Sequence, residues 1–232
     1  MKKKFILTTV ILLAVFLLGA CSLQLYSRTA LHEELLEHMY QKYGIEFSIY
    51  RYHNRGSGSY LLEVYPTGGD PVYDIAHLSW RGNQSTGEYS ISDTFFGVLI
   101  REEVETEITN LLSDFPIPFR VFYPTTIAYF NNIFDSTKNL NDFLTWRLDY
   151  PYWGFDITVV LSLNNLDEAD AYANLVFDSI SGSAFSGLFT VVVLPEEGFV
   201  RLTRTNKDAL IVEYHGQTAT IGRNILRSVR SE

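Results

Sequence analysis

The chain is poor in sulfur. Among its 232 residues there are one cysteine, Cys21, and two methionines. A single cysteine excludes an intrachain disulfide, so the fold depends on its hydrophobic core. With 47% apolar and 19% charged residues, the composition is that of a globular protein, and the length allows one large or two small domains.

Basic residues are scarce as well, with 18 Lys and Arg against 27 Asp and Glu and a net charge of −9. Lys2, Lys3 and Lys4 lie in an N-terminal stretch without acids, and without them the formal charge is −12. Phosphate backbones and anionic lipid headgroups repel such an acidic surface. We therefore expect no nucleic-acid partner and no electrostatic docking on a membrane.

Catalytic and cofactor motifs are missing from the sequence, including a Gly-x-Ser-x-Gly elbow and a phosphate-binding loop. His32 and His38 resemble a zinc-protease pair, but they are six residues apart instead of four, so we expect two surface histidines. Asp167, Glu168 and Asp170 lack the spacing of a calcium loop and suit the first turn of a helix. The sequence predicts no cofactor, no metal site and no catalytic residue, hence a protein that is not an enzyme.

The N-terminus has the pattern of an export signal. Three lysines precede the uncharged apolar run Phe5–Ala20, whose 16 residues suit a signal peptide and are short for a membrane span. The run ends in Leu18-Gly19-Ala20-Cys21, which resembles the lipobox of bacterial lipoproteins. That resemblance implies a signal peptide at 1–20, cleavage between Ala20 and Cys21, and acyl chains such as palmitate on Cys21. We expect a lipidated tether at 21–27 and a chain anchored on the extracytoplasmic face of the cell membrane.

Hydrophobic periodicity predicts an α+β fold of antiparallel meanders packed with helices. In the expected N-terminal domain, 28–117, the stripe Leu31, Leu35, Met39 and Tyr43 predicts a helix that stops at Gly44. Alternating segments then predict four strands, at 45–52, 60–65, 72–80 and 86–91. Asp93 should cap one long helix with its acids, Glu102, Glu103, Glu105 and Glu107, on the outer face.

The second half, 118–221, has similar ingredients in another order and predicts a second, similar α+β domain. We expect an extended segment at 119–130, a helix at 138–148, a strand at 155–163 and a helix capped by Asn164 or Asn165. Strands at 188–194, 199–205 and 209–214 should follow, with Glu196-Glu197-Gly198 as a hairpin turn. The polar, basic end, 222–232, is expected to be a flexible tail.

The segment Lys42-Tyr43-Gly44, followed by Phe47, resembles the end of the first helix in small uncharacterised lipoproteins of Gram-positive bacteria. Those proteins carry a Lys-Tyr-Gly-x-x-Phe pattern before an antiparallel meander. The resemblance covers about residues 28–115 and implies a cell-envelope location. It implies no activity.

An aromatic loop is the candidate binding surface, with Tyr150, Tyr152 and Trp153 able to grip a partner or stack on a sugar. The leading interpretation is a membrane-anchored, non-catalytic module that binds an envelope protein or peptide. One alternative is the solute-binding component of a transporter. Another is a cell-wall hydrolase, which would need two convergent carboxylates such as Asp149 and Asp156.

Overall fold

The computed structural model describes residues 29–56, 59–82, 88–124, 133–147, 149–150 and 154–225. The chain divides into two compact units, Met1–Phe47 and Ser48–Glu232. The predicted signal peptide, Cys21 and the tether lie outside the described residues, so lipidation stays a prediction. Within the described ranges no helix is long and apolar enough to cross a membrane.

Helix α1, at 29–43, has the predicted apolar stripe, with Leu35, Met39 and Tyr43 buried. It ends where predicted, because Gly44 adopts a φ of 71° that favours glycine and donates its N–H to Tyr40 O at 2.7 Å. His32 and His38 are half-buried, so their expected placement on an exposed face was wrong. Each lies three residues from Leu35 and therefore flanks the buried stripe.

The first sheet is the predicted antiparallel meander. Its strands, in spatial order, are β1 Phe47–Asn54, β2 Ser59–Pro66, β3 Ala76–Gly82 and β4 Tyr89–Asp93. Strands β2 and β3 place Leu62 opposite Leu78, and both side chains are buried. This pair therefore lies on the buried face of the sheet.

The third strand begins four residues later than predicted because the preceding segment forms a turn. The Asp70 carboxylate accepts hydrogen bonds from the N–H groups of Val72 and Tyr73, at 2.8 and 3.1 Å. Such side-chain-to-backbone bonds compete with strand pairing. Three residues of this segment, Val72, Tyr73 and Ile75, line a cavity.

The long helix predicted after Asp93 is two helices, α2 Phe95–Leu99 and α3 Arg101–Leu111. Between them Ile100 departs from helical geometry, with φ −87° and ψ 1°. Asp93 does not occupy the N-cap, which is Thr94, but its carboxylate accepts the Phe95 N–H at 2.9 Å. One apolar face continues across the break, because Phe96, Ile100, Val104, Ile108 and Leu112 all enter one core.

The second sheet is mixed, which differs from the expected meander. Its spatial order is β5 Phe119–Phe122, β6 Phe155–Ser162, β7 Gly187–Leu194 and β8 Ala219–Ile225. Strands β6 and β7 run parallel, with Val159 opposite Val191, and the other two pairs are antiparallel. A parallel pair needs a crossover, which helix α5, Ala169–Ile180, provides after a short 3₁₀ turn at Leu166–Glu168.

Two predicted strands are helices. Residues 199–201 of the first segment lie in α6, Glu196–Arg201, and residues 209–213 of the second lie in α7, Lys207–Glu213. The expected hairpin turn at 196–198 is the first turn of α6. Part of the expected flexible tail, 222–225, belongs to β8. The extended segment expected at 119–130 is a strand as far as Phe122, and residues 125–130 lie outside the described ranges.

Helices cover both faces of the second sheet. On one face α2, α3, α5 and α4, Leu140–Trp146, enclose the larger core. On the other face four side chains from 199–214 pack on strands β6 and β7, namely Phe199, Leu202, Leu210 and Tyr214. The fold class is therefore α+β, as predicted. Helix α3, from the expected N-terminal domain, shares the core of the second sheet, and the boundary near residue 117 stays a prediction.

Candidate functional site

Tyr150 is the member of the predicted aromatic surface that the structure describes. Its side chain is 48% exposed and stacks on Trp146, with ring centroids 4.5 Å apart and planes 20° apart. Trp146 in turn packs against Phe134 and Phe143. Tyr150 is thus a surface ring fixed on the aromatic core. Tyr152 and Trp153 lie outside the described residues.

The two carboxylates of the hydrolase hypothesis lie in different surroundings. Asp149 is exposed in the segment after α4. Asp156 is half-buried in β6, where burial raises its pKa and the charge of Lys207 acts in the opposite direction. Their convergence on a substrate stays a hypothesis.

An open groove of about 730 Å³ lies between α3, α4 and the turn that follows α5. Its lining combines apolar side chains with acids, and none of the described residues that line it is a lysine or an arginine. The lining residues are Glu102, Glu103, Thr106, Glu107, Leu111, Leu140, Asn141, Leu144, Ser183, Ala184 and Phe185. We refer to it as the acidic groove. Its volume lies within the range of ligand-binding clefts in proteins.

Local sequence explains how the walls of the acidic groove form. Glu102, Glu103 and Glu107 are exposed on the outer face of α3, as the helical pattern predicted, and the structure shows that they line the groove. The opposite wall begins at a capping box, in which Asn139 accepts the Asp142 N–H and Asp142 accepts the Asn139 N–H. Glu103 Oε2 accepts the N–H of Leu140 at 3.1 Å and so links the two walls.

A smaller cavity of about 260 Å³ lies at the other side of α3, where the turn after β2, the end of β5 and the segment between α6 and α7 meet. Three cations line it, Arg101, Arg204 and Lys207, together with aromatic and aliphatic side chains. The other lining residues are Val72, Tyr73, Ile75, Phe122, Tyr123, Pro124, Thr205 and Asp208. We refer to it as the cationic cavity.

Arg101 is the most buried of these cations, with its side chain 5% exposed. It donates to Asp74 Oδ1 at 3.3 Å and to Tyr73 O at 2.8 Å, and its guanidinium lies 4.1 Å from the centre of the Tyr73 ring. The guanidinium of Arg204 lies 4.3 Å from the same ring centre. Both cations therefore contact one aromatic side chain, an arrangement stabilised by cation–π attraction.

Glu105, on α3, contacts two residues of the cationic cavity, although the helical pattern placed it on the outer face. Its Oε1 accepts the N–H of Tyr123 at 2.8 Å, its Oε2 accepts from Arg204, and its side chain is only 12% exposed. Burial raises the pKa of Glu105 to about 7, against the effects of the Tyr123 hydrogen bond and the charge of Arg101. Burial likewise lowers the pKa of Arg204. The pair is thus costly to keep charged in this position.

No family model and no curated protein matches this sequence. One solved structure that it resembles is the crystal structure of a DUF5037 family protein from Ruminococcus gnavus. The two are 11% identical, with a TM-score of 0.49, over 84% of this chain and 90% of the other. A likeness at this level assigns neither a family nor an activity.

Metal-ligating side chains do not cluster in the part of the chain that the structure describes: no three His, Cys, Asp or Glu residues there are arranged to hold an ion.

The sequence analysis did not predict either the acidic groove or the cationic cavity. The acids of the groove were visible as one face of a predicted helix. In the sequence, Arg101 could be recognised only as a charged residue three positions before Val104, which places both residues on the buried face of that helix.

Proposed function

We propose that this chain is a lipid-anchored protein on the extracytoplasmic face of a bacterial cell membrane, where it binds a basic, apolar segment of another envelope protein or peptide without catalysing a reaction. The acidic groove carries the binding part of this proposal. The lipobox at Leu18–Cys21 supports the anchored location.

The acidic groove indicates the chemistry of its occupant. Glu102, Glu103 and Glu107 line the groove together with the apolar side chains of Leu111 and Leu144, and the part of the lining that the structure describes supplies no lysine or arginine to neutralise the acids. A segment with lysine or arginine beside apolar side chains would complement both features. The groove is bounded by two helices, which is the setting in which amphipathic segments dock along an apolar channel.

The anchor is tested by labelling cells with radioactive palmitate and separating membrane from soluble fractions. We expect the wild type to be labelled and retained in the membrane, and the Cys21→Ser variant to lose the label because it has no thiol to acylate. Ser22→Ala, a change at the next position, is the matched control and should behave as wild type. A labelled Cys21→Ser variant would contradict the anchor.

The groove is tested by fluorescence anisotropy with a labelled amphipathic Leu/Lys peptide of about 15 residues, long enough to form a helix. We expect the Glu102→Lys, Glu107→Lys double variant to bind at least about tenfold more weakly, because two attractive contacts become repulsive. A Leu/Glu peptide should not bind. The double variant Asp170→Lys, Glu197→Lys, at exposed positions outside the groove, makes the same change in net charge.

The charge-matched double variant distinguishes binding at the groove from general electrostatic attraction to an acidic protein. If it weakens binding as much as the groove variant, the peptide recognises net charge alone and the groove proposal is wrong. Leu111→Ser tests the apolar part, since this side chain is accessible and its removal leaves every charge in place. We expect a loss of about fivefold in affinity from the lost apolar contact. Unchanged affinity would show that the Leu111 side chain does not contribute to peptide binding.

A further inference from the structure

The cationic cavity has more hydrogen-bond donors than acceptors. Each guanidinium presents a rigid fork of N–H groups, and an ammonium presents several more. Among the described residues, Tyr73 O and Asp74 accept from Arg101, Glu105 accepts from Arg204, and Asp208 pairs with Lys207. These acceptors use only a minority of the available N–H donors. The excess fits a ligand that brings further acceptor oxygens.

The positions of the two arginines limit the chemical class of the ligand. Both guanidiniums lie against the Tyr73 ring, at 4.1 and 4.3 Å from its centre, and both arginines line the cavity, so a ligand in the cavity has two guanidinium groups available to it. Arginine forks match the two oxygens of a carboxylate and hold it by parallel hydrogen bonds. Arg101 is held in position from behind by Asp74 and Tyr73 O, so its orientation does not depend on the ligand.

Most of the remaining lining is apolar. It consists of Val72, Ile75, Phe122, Pro124 and the Tyr73 and Tyr123 rings, beside Thr205 and the exposed Asp208. The accessible volume of about 260 Å³ is many times the roughly 10 to 15 Å³ that one water molecule requires. A bare inorganic anion would leave most of this space, and the apolar side chains, without contacts. The cavity has room for a small organic ligand with an apolar body.

We propose that the cationic cavity binds a small organic carboxylate, whose charged group is held by Arg101 and Arg204 and whose apolar body packs beside Tyr73 and Phe122. This site is independent of the acidic groove. It corresponds to the solute-binding alternative that the sequence left open. Glu105 competes with the ligand for Arg204.

The test is isothermal titration of the purified full chain, in nonionic detergent, with phenylacetate, phenylacetamide and inorganic phosphate. Phenylacetate has a carboxylate and an apolar ring, and phenylacetamide keeps the shape without the charge. We expect phenylacetate to bind at least about tenfold more tightly than phenylacetamide, since hydrogen bonds to charged groups are the stronger kind. Equal affinity for the two, or tighter binding of phosphate, would overturn the proposal.

Two variants should shift the affinity in opposite directions. Arg204→Gln removes one donor fork and should weaken phenylacetate binding about tenfold, whereas Glu105→Gln removes the competing carboxylate and should tighten binding severalfold. A gain of affinity cannot result from a misfolded variant. Arg201→Gln is the matched control, because Arg201 pairs with Glu213 outside the cavity. A loss with Arg201→Gln equal to that with Arg204→Gln, or weaker binding by Glu105→Gln, would refute the assigned site.

Discussion

Replacing Glu105 with glutamine tests whether this buried carboxylate makes the fold sensitive to pH. The side chain is 12% exposed, and its oxygens accept from the Tyr123 N–H and from Arg204. Glutamine has nearly the same shape and can still accept the Tyr123 hydrogen bond. The substitution therefore removes a charge while leaving the packing in place.

The pKa of Glu105 sets the size and sign of the effect. Burial raises it from 4.5 to about 7. Between those values the folded chain holds a proton that the unfolded chain releases, so the free energy of unfolding falls as the pH rises through this window. The difference corresponds to about 3 kcal/mol at 1.36 kcal/mol per pKa unit, as an upper bound because the contact with Arg204 stabilises the ionised form.

Urea unfolding followed by circular dichroism, from about pH 5 to about pH 8.5, measures this dependence. In the Glu105→Gln variant we expect the free energy of unfolding to fall less steeply with rising pH. Above pH 7 the variant should be more stable than wild type by about 1 to 3 kcal/mol. Glu107→Gln, an exposed carboxylate on the same helix, should retain the wild-type slope. If Glu105→Gln declines as steeply as wild type, the carboxylate is not the source of the pH dependence.

Two further substitutions test the backbone geometry. Gly187→Ala should destabilise the fold by more than about 2 kcal/mol in urea unfolding, because Gly187 has a φ of 138° and a Cβ there would overlap the Phe155 backbone. At Gly222 in the neighbouring strand a Cβ would meet only Leu188 Cδ1, at an ordinary contact distance of 3.9 Å, so Gly222→Ala should cost less than about 1 kcal/mol and equal losses would contradict this account. Asn139→Ala should cost about 1 kcal/mol by removing the capping box of α4, whereas Asn139→Asp should retain most of that stability.

Local sequence patterns were sufficient to predict those helices and strands whose apolar residues follow the regular spacing of the element. The stripe of α1, the alternation of the first sheet and the cap at Asn165 all depend on residues within a few positions of one another. The segment from 199 to 214 shows why such patterns can fail. Val200 and Val212 favoured strands as β-branched residues, yet they are 70% and 74% exposed on helices α6 and α7. Helical spacing of Phe199, Leu202, Leu210 and Tyr214 determines the structure there, because those side chains cover the second sheet.

Strand pairing in the second sheet joins segments that are far apart in the sequence. Part of the information that favours a parallel pair nevertheless lies within the strands themselves. Strands β6 and β7 contain nearly continuous apolar runs, at 157–161 and 191–194, and both runs are buried. Strands covered on both faces lose the alternation of a half-exposed meander, and such runs are typical of parallel pairs. The helix between them, α5, is long enough for the crossover that a parallel pair requires. Together these features favour a parallel pair over the predicted meander.

The cationic cavity could not be assembled from local patterns, because its ion pairs join distant segments. Arg101 and Glu105 are one helical turn apart and could have paired with each other. Instead Arg101 binds Asp74 and Glu105 binds Arg204, so α3 is linked to two separate loops. A cation three residues before Val104, on the buried face, is costly unless other segments supply its partners. A charge at a core-facing helical position is therefore the sequence feature that indicates a long-range polar site, even where its partners cannot be named.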